Sequence, residues 1–190
     1  LFNYGKLQFE LGGGYFNESI NVLSRYLEQY PSSERAAEVE EYLVAAYFNS
    51  RNYDAAYDAI KRMPNPDRNI RAALQKIVYF RAVDAYNRGD MASAELLFKE
   101  ADGLRYNARY TALTGYWLGE VMYSQGDYGG AAQKWEQYVK LSPSSERENR
   151  IARYNIGYSF FNAGNMSRAR EWFDSFLAVH TTKDSFRADA

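Results

Sequence analysis

Along this chain, apolar residues recur at i, i+4 and i+7 within segments separated by short polar turns, the spacing of one face of an α-helix. The turns themselves recur. The strings "YNRGDMASA", "YSQGDYGGAA" and "FNAGNMSRA" carry Gly89, Gly126 and Gly164, which stand 37 or 38 residues apart. One step earlier, "FNSRNYDAA" puts Arg51 in the same place, and a further step of 39 residues reaches Gly12 in "QFELGGGYFNES", where the turn carries two extra residues. A fixed period of this length marks a repeat architecture.

Each unit repeats more than its turn. Seven residues before the anchor the side chain is small: Gly5, Val44, Ala82, Gly119 and Gly157. Five after it, allowing for the first insertion, come Ser19, Ala56, Ala94, Ala131 and Ala169. Nine after it stand the large apolar residues Leu23, Ile60, Phe98, Trp135 and Phe173. Twelve after it are Tyr26, Met63, Ala101, Tyr138 and Phe176. These offsets predict an amphipathic helix after each turn and another before it, so that each unit is an antiparallel helix hairpin. Small residues let the two backbones approach, and the large residue fills the space against the next hairpin. One hairpin cannot bury its apolar faces alone, so neighbours stack.

The string "PSSER" occurs at residues 31 to 35 and again at 143 to 147, a separation close to three units. Pro31 and Pro143 mark where a second helix has ended. The serines after them are expected to accept from unpaired N–H groups at the next helix start, and Ser145 with Glu148 has capping-box spacing. The expected organisation is a single array over residues 1–190, with repeats at 1–31, 32–66, 67–105, 106–143 and 144–181. Residues 182–190 would begin a sixth. Both ends read as unfinished, which points to a piece of something longer.

Composition narrows the functional classes. Hydrophobic residues make up 46% of the 190 and aromatics 17%, enough for a core. Lys and Arg total 23 against 24 Asp and Glu, so there is no cationic surplus to drive nucleic-acid binding or a polybasic membrane anchor. No apolar run approaches the roughly 20 residues of a spanning helix. Cysteine is absent, which removes disulfides, thiolate metal sites and a thiol nucleophile and leaves the compartment open. The one histidine, His180, has no partner for a catalytic triad or metal cluster. The triple glycine at 12–14 lacks the Gly-Lys-Ser/Thr of a phosphate loop. No enzyme and no cofactor is expected.

The stretches "YWLGEVMYSQGDYGGAAQKWEQYVKLSP" and "YNIGYSFFNAGNMSRAREWFDSFL" resemble the tetratricopeptide repeat (TPR) family in their Leu-Gly, Gly-Asp-Tyr, Ala, aromatic and Pro positions. The third unit departs most, with Arg81 and Ala82 in place of Leu-Gly. The period is longer than the common ~34 residues of that family. The resemblance implies an all-α, right-handed α-α superhelix of about five helix-turn-helix repeats plus the start of a sixth. Its first helices would line a concave face. The Tyr-rich, cysteine-free texture is more similar to bacterial envelope members than to eukaryotic co-chaperones, favouring periplasm or cell envelope over cytoplasm. The carboxylate-clamp pattern of chaperone-binding relatives is not matched.

On that arrangement, residues three before each anchor are groove candidates: Phe9, Phe48, Tyr86, Tyr123 and Phe161. Ten before it lie Phe2, Tyr79, Tyr116 and Tyr154, interrupted by Glu41. An aromatic column can grip an extended segment or amphipathic helix, or can simply pack against neighbouring first helices. Two before the anchor, Asn49, Asn87 and Asn162 offer a ladder for a peptide backbone, or routine helix-end capping. Glu34, Glu38 and Glu41 share one helix face, and Arg147, Arg150 and Arg153 another, as acidic and basic ends of a groove or as solvated faces. The leading expectation is a non-catalytic scaffold for a protein or peptide partner, with self-association through the terminal repeats as a further partner. A glycan- or nutrient-binding module is the alternative.

Overall fold

The computed structural model describes residues 1–179. His180 and the expected sixth repeat lie outside the described residues. Among those described there are ten α-helices, one short 3₁₀ turn and no strand. The helices pair along the chain as α1 (Phe2–Leu11) with α2 (Phe16–Gln29), α3 (Ala36–Asn49) with α4 (Tyr53–Arg62), and α5 (Arg68–Asn87) with α6 (Met91–Leu104). They continue as α7 (Ala108–Ser124) with α8 (Tyr128–Leu141) and α9 (Arg147–Asn162) with α10 (Met166–Val179). Two compact units result, Leu1–Arg81 and Ala82–Ala190, with the division inside α5.

The anchor positions of the sequence period are the left-handed residues of the turns. Gly12, Gly89, Gly126 and Gly164 have φ of 69°, 79°, 82° and 76°, and Arg51 has 59°. In the last four hairpins the turn closes identically. The anchor N–H donates to the carbonyl three residues back, Phe48, Tyr86, Tyr123 or Phe161, at 2.9–3.0 Å. The next N–H donates to the carbonyl five residues before it, at 2.8–3.0 Å. This satisfies the orphan carbonyls of the first helix. The next residue, Asn52, Asp90, Asp127 or Asn165, then caps the second helix by accepting from the backbone N–H three residues on. In the first hairpin Gly12 and Gly13 are both left-handed and a 3₁₀ turn, Gly13–Tyr15, absorbs the insertion.

Arg51 alone among these anchors carries a Cβ into the left-handed region, which L-residues pay to enter. Arg51→Gly is therefore expected to raise unfolding free energy by about 0.5–1 kcal/mol, read by chemical denaturation.

The small and large positions meet in the first, fourth and fifth hairpins. A Cβ built on Gly5, Gly119 or Gly157 would stand 2.6, 2.5 and 2.6 Å from Leu23, Trp135 and Phe173. The large residue thus seats first on the glycine of its own hairpin. Trp135 belongs to the same cluster as Ala152 and Ile156 of the next, so it also serves the role expected for it. Ser19, Ala56, Ala94 and Ala131 are fully buried and Ala169 nearly so. Ser19 donates Oγ–H to the Gly5 carbonyl at 2.8 Å, which makes a polar residue acceptable there.

The PSSER segments differ from expectation. Helices α2 and α8 do end just before Pro31 and Pro143, but α3 and α9 start at Arg35 and Glu146 with no side-chain cap. Ser33 instead bonds the Tyr26 hydroxyl at 2.7 Å and accepts from Arg35 N–H at 3.2 Å. The Ser145–Glu148 capping box does not form. Its place is taken by Asn149, fully buried, whose Nδ2 donates to the Val139 and Ser142 carbonyls and to Ser142 Oγ at 3.2, 2.9 and 2.8 Å. A side chain of the next helix thus caps the end of α8, while Ser33 and Ser145 stand two and one residues before the N-cap positions Arg35 and Glu146.

Candidate functional site

The aromatics three before each anchor sit beside the turns. Phe9 packs on Phe16 at 5.7 Å, Phe48 on Tyr53 at 5.5 Å and Tyr123 on Tyr128 at 5.2 Å, so in each case the partner opens the second helix. Tyr86 lies 4.9 Å from Trp117. Phe161, 49% exposed, is the most open of the column. The set ten before the anchor lies deeper. Phe2, Tyr79 and Tyr116 are each 7% exposed. Phe2 meets Tyr26 at 6.0 Å, Tyr116 meets Tyr138 at 5.3 Å and half-buried Tyr154 meets Phe176 at 5.4 Å. Phe2, Tyr116 and Tyr154 thus close their own hairpins at the end opposite the turn.

The asparagines two before the anchor are exposed. Asn162 donates Nδ2–H to the Tyr123 hydroxyl at 2.9 Å, linking one first helix to the preceding one. A second rung lies two turns deeper, where Asn155 donates to Glu120 Oε1 at 2.8 Å. Sequence reading missed Glu120 and Asn155, since Glu120 recurs in no other unit and Asn155 only as Asn3 of the first. Burial raises the Glu120 carboxyl above the ordinary carboxylate range, against the lowering effect of hydrogen bonds from Tyr116 and Asn155. The same burial, with Glu120 nearby, raises Tyr116 and Tyr86 above the usual phenol value. Because the folded state holds the Glu120 proton more tightly than the unfolded state, its ionisation weakens folding. That penalty is absent below the ordinary carboxylate value and grows as pH rises through the folded one. Glu120→Gln is expected to flatten the slope of Tm against pH above the ordinary carboxylate value, with stability at neutral pH changed by no more than about 1 kcal/mol.

In the first unit the corresponding face is α3 against α5. A cavity of 210 Å³ opens there, lined by Phe48, Asn49, Glu41, Ile70, Ala73 and Lys76 among others. Lys76 holds its ammonium 4.0 Å from the Phe48 ring centroid, a cation–π contact that fixes the ring as one wall. Lys76 was not singled out from the sequence because no period selects it.

The charged faces are largely engaged locally. Glu38 lies 3.9 Å from Lys6, while Glu34 and Glu41 are exposed. Arg153 donates to Asn149 Oδ1 and Ser175 Oγ, and Arg150 to the Ser145 carbonyl, so two of the three arginines are committed inside their own hairpin region. Among the described residues no group of His, Cys, Asp and Glu is arranged to hold a metal ion, and no helix is long and apolar enough to cross a membrane.

Hairpins closed by a left-handed anchor, a small residue under a large one and an Asn or Asp cap define a helical-repeat chain. Residues 118–184 match the tetratricopeptide repeat family model. The fold is also similar to that of solved structures. MamA is 17% identical with a TM-score of 0.57, covering 100% of this chain and 96% of that one. YrrB, a TPR protein with an unusual peptide-binding site, is 15% identical with a TM-score of 0.57, covering 95% and 85%. BtubC from P. vanneervenii is 13% identical with a TM-score of 0.61, covering 95% and 75%. No curated protein matches the sequence. Residues 118–184 thus carry tetratricopeptide-repeat sequence, and the fold of the described residues is an all-α helical repeat.

Proposed function

We propose that this chain is a non-catalytic scaffold that binds a partner peptide along the faces of its first helices, as part of a larger bacterial envelope protein. The observation that carries the reading is the cavity between α3 and α5, because its walls include Phe48 and Asn49, two residues that the repeat period singles out. It is sized for one apolar side chain of an extended peptide. Asn49, exposed beside it, offers both a donor and an acceptor to a peptide backbone. In the second unit Tyr123 and Asn162 already bond each other, so there a partner would meet a preformed rung rather than separate side chains. The envelope assignment draws on the Tyr-rich, cysteine-free composition alone.

Screening the purified chain against an immobilised peptide library tests the reading. Peptides with an apolar residue in extended sequence should be retained, and Phe48→Ala should weaken a retained peptide at least about tenfold while leaving the helical circular dichroism unchanged. Retardation by glycan in an affinity gel, with no peptide retained, would transfer the chain to the glycan-binding alternative. Fractionation of the native host would test location, and recovery in the cytosol alone would remove the envelope assignment.

A further inference from the structure

Eleven residues before the anchor, the α7–α8 hairpin carries Gly115 where other units have Glu40, Val78 and Arg153. In the α9–α10 hairpin the space in question is filled, because Arg153 crosses to the second helix and donates to Ser175 Oγ at 2.5 Å. Gly115 has no side chain to cross with, and a Cβ built on it would meet nothing within 4 Å. The counterpart of Ser175 is Gln137, which lines the 280 Å³ cavity left beside Gly115. A glycine inside a helix lowers its stability, and packing gives no reason for this one.

That cavity continues into a larger cleft of 690 Å³ at the edge of the hairpin, the two sharing Arg105, Thr111, Ala112, Tyr138 and Leu141. The larger volume falls in the range of roughly 300–1,000 Å³ typical of small-molecule sites. Its floor is apolar, from Ala112 and Leu113, and Leu141 stands at its rim 69% exposed. The charged lining is mainly cationic: Arg105 and Arg109 in the larger cleft, Lys134 and Lys140 in the smaller. Of the two carboxylates in the lining, Asp102 is held by Lys134 at 3.4 Å and Glu146 accepts from the Tyr138 hydroxyl at 3.2 Å. An apolar floor under a cationic rim complements a molecule with an apolar body and one anionic end.

We propose that this cleft is a binding site for a small amphipathic carboxylate, with its apolar body over Ala112 and Leu113 and its carboxylate toward Arg105 and Arg109. It lies at the start of α7 and the end of α8, apart from the α3–α5 cavity, and does not depend on the peptide reading above.

Calorimetric titration of the full chain with octanoate, octan-1-ol and octylammonium tests it. Octanoate should bind saturably at one site, and octylammonium at least tenfold more weakly. Gly115→Arg places in this hairpin the side chain that fills the next one. It should abolish octanoate binding with Tm unchanged or raised, since its Cβ enters open space and the helix loses a glycine. Arg109→Glu should weaken octanoate at least tenfold and leave octan-1-ol unaffected, and this arm stands even if Gly115→Arg fails to fold. A non-saturating octanoate isotherm, equal affinity for octanoate and octylammonium, or wild-type binding by folded Gly115→Arg would each overturn the proposal.

Discussion

Replacing Trp135 with alanine is expected to lower unfolding free energy by about 3–5 kcal/mol, the largest single effect in the chain. The indole is fully buried and donates Nε1–H to the Tyr116 carbonyl at 2.9 Å. It lies in the cluster that joins Ala131 and Tyr138 of α8 to Ala152 and Ile156 of α9. Its removal therefore opens a cavity between two hairpins as well as inside one. The complementary change is Gly119→Ala. The new Cβ would stand 2.5 Å from Trp135 Nε1 and 2.7 Å from Cε2, and a ring held on all sides cannot withdraw. Overpacking of this kind costs about 1–3 kcal/mol. The two effects share one cause, so the double variant should be less destabilised than the sum of the single ones, with a coupling of about 0.5–3 kcal/mol. Urea denaturation of the four proteins reads it. Additivity would show that Gly119 is small for a reason other than the indole.

Asn149→Ala is expected to cost about 2–3 kcal/mol. The side chain is fully buried, and its amide group serves the Val139 and Ser142 carbonyls at the end of α8. Its Oδ1 accepts from Arg153 Nε at 3.0 Å. Alanine would leave those groups without this partner inside the protein, where the loss of an acceptor or donor costs more than the mean worth of a hydrogen bond. Asn149→Asp tests the mechanism. A carboxylate can still accept from Arg153 but cannot donate to carbonyls, so it should recover little of the loss. Full recovery by aspartate would place the effect in the arginine contact instead of the helix-end cap.

Much of the fold was legible because it is periodic. The turn anchors, the small residue seven before them and the large residue nine after them each stand in every unit, and each answers a local requirement: a left-handed backbone, a close helix approach, a filled interior. Arg51 shows that the position and not the residue type carries the signal, since it adopts the same conformation without being glycine. The serine caps failed because a helix start depends on the register of the incoming chain, and Ser33 and Ser145 stand ahead of the N-cap positions Arg35 and Glu146. The aromatic columns were found as columns, but sequence could not separate Tyr116, which closes its own hairpin, from Phe161, which stands open.

The sequence by itself determined the all-α repeat, because helix periodicity, turn chemistry and the pairing of small with large residues are all written within one unit's length. The tertiary structure alone decided which side chains meet across units of the repeat, as in Asn155 on Glu120, Asn149 on the end of α8 and Lys76 over Phe48. Each of those contacts has at least one member, Glu120, Asn149 or Lys76, at a position that does not recur, so no period announces the pair. They depend on how far one helix is displaced against another, a distance that packing sets and a string of residues does not record.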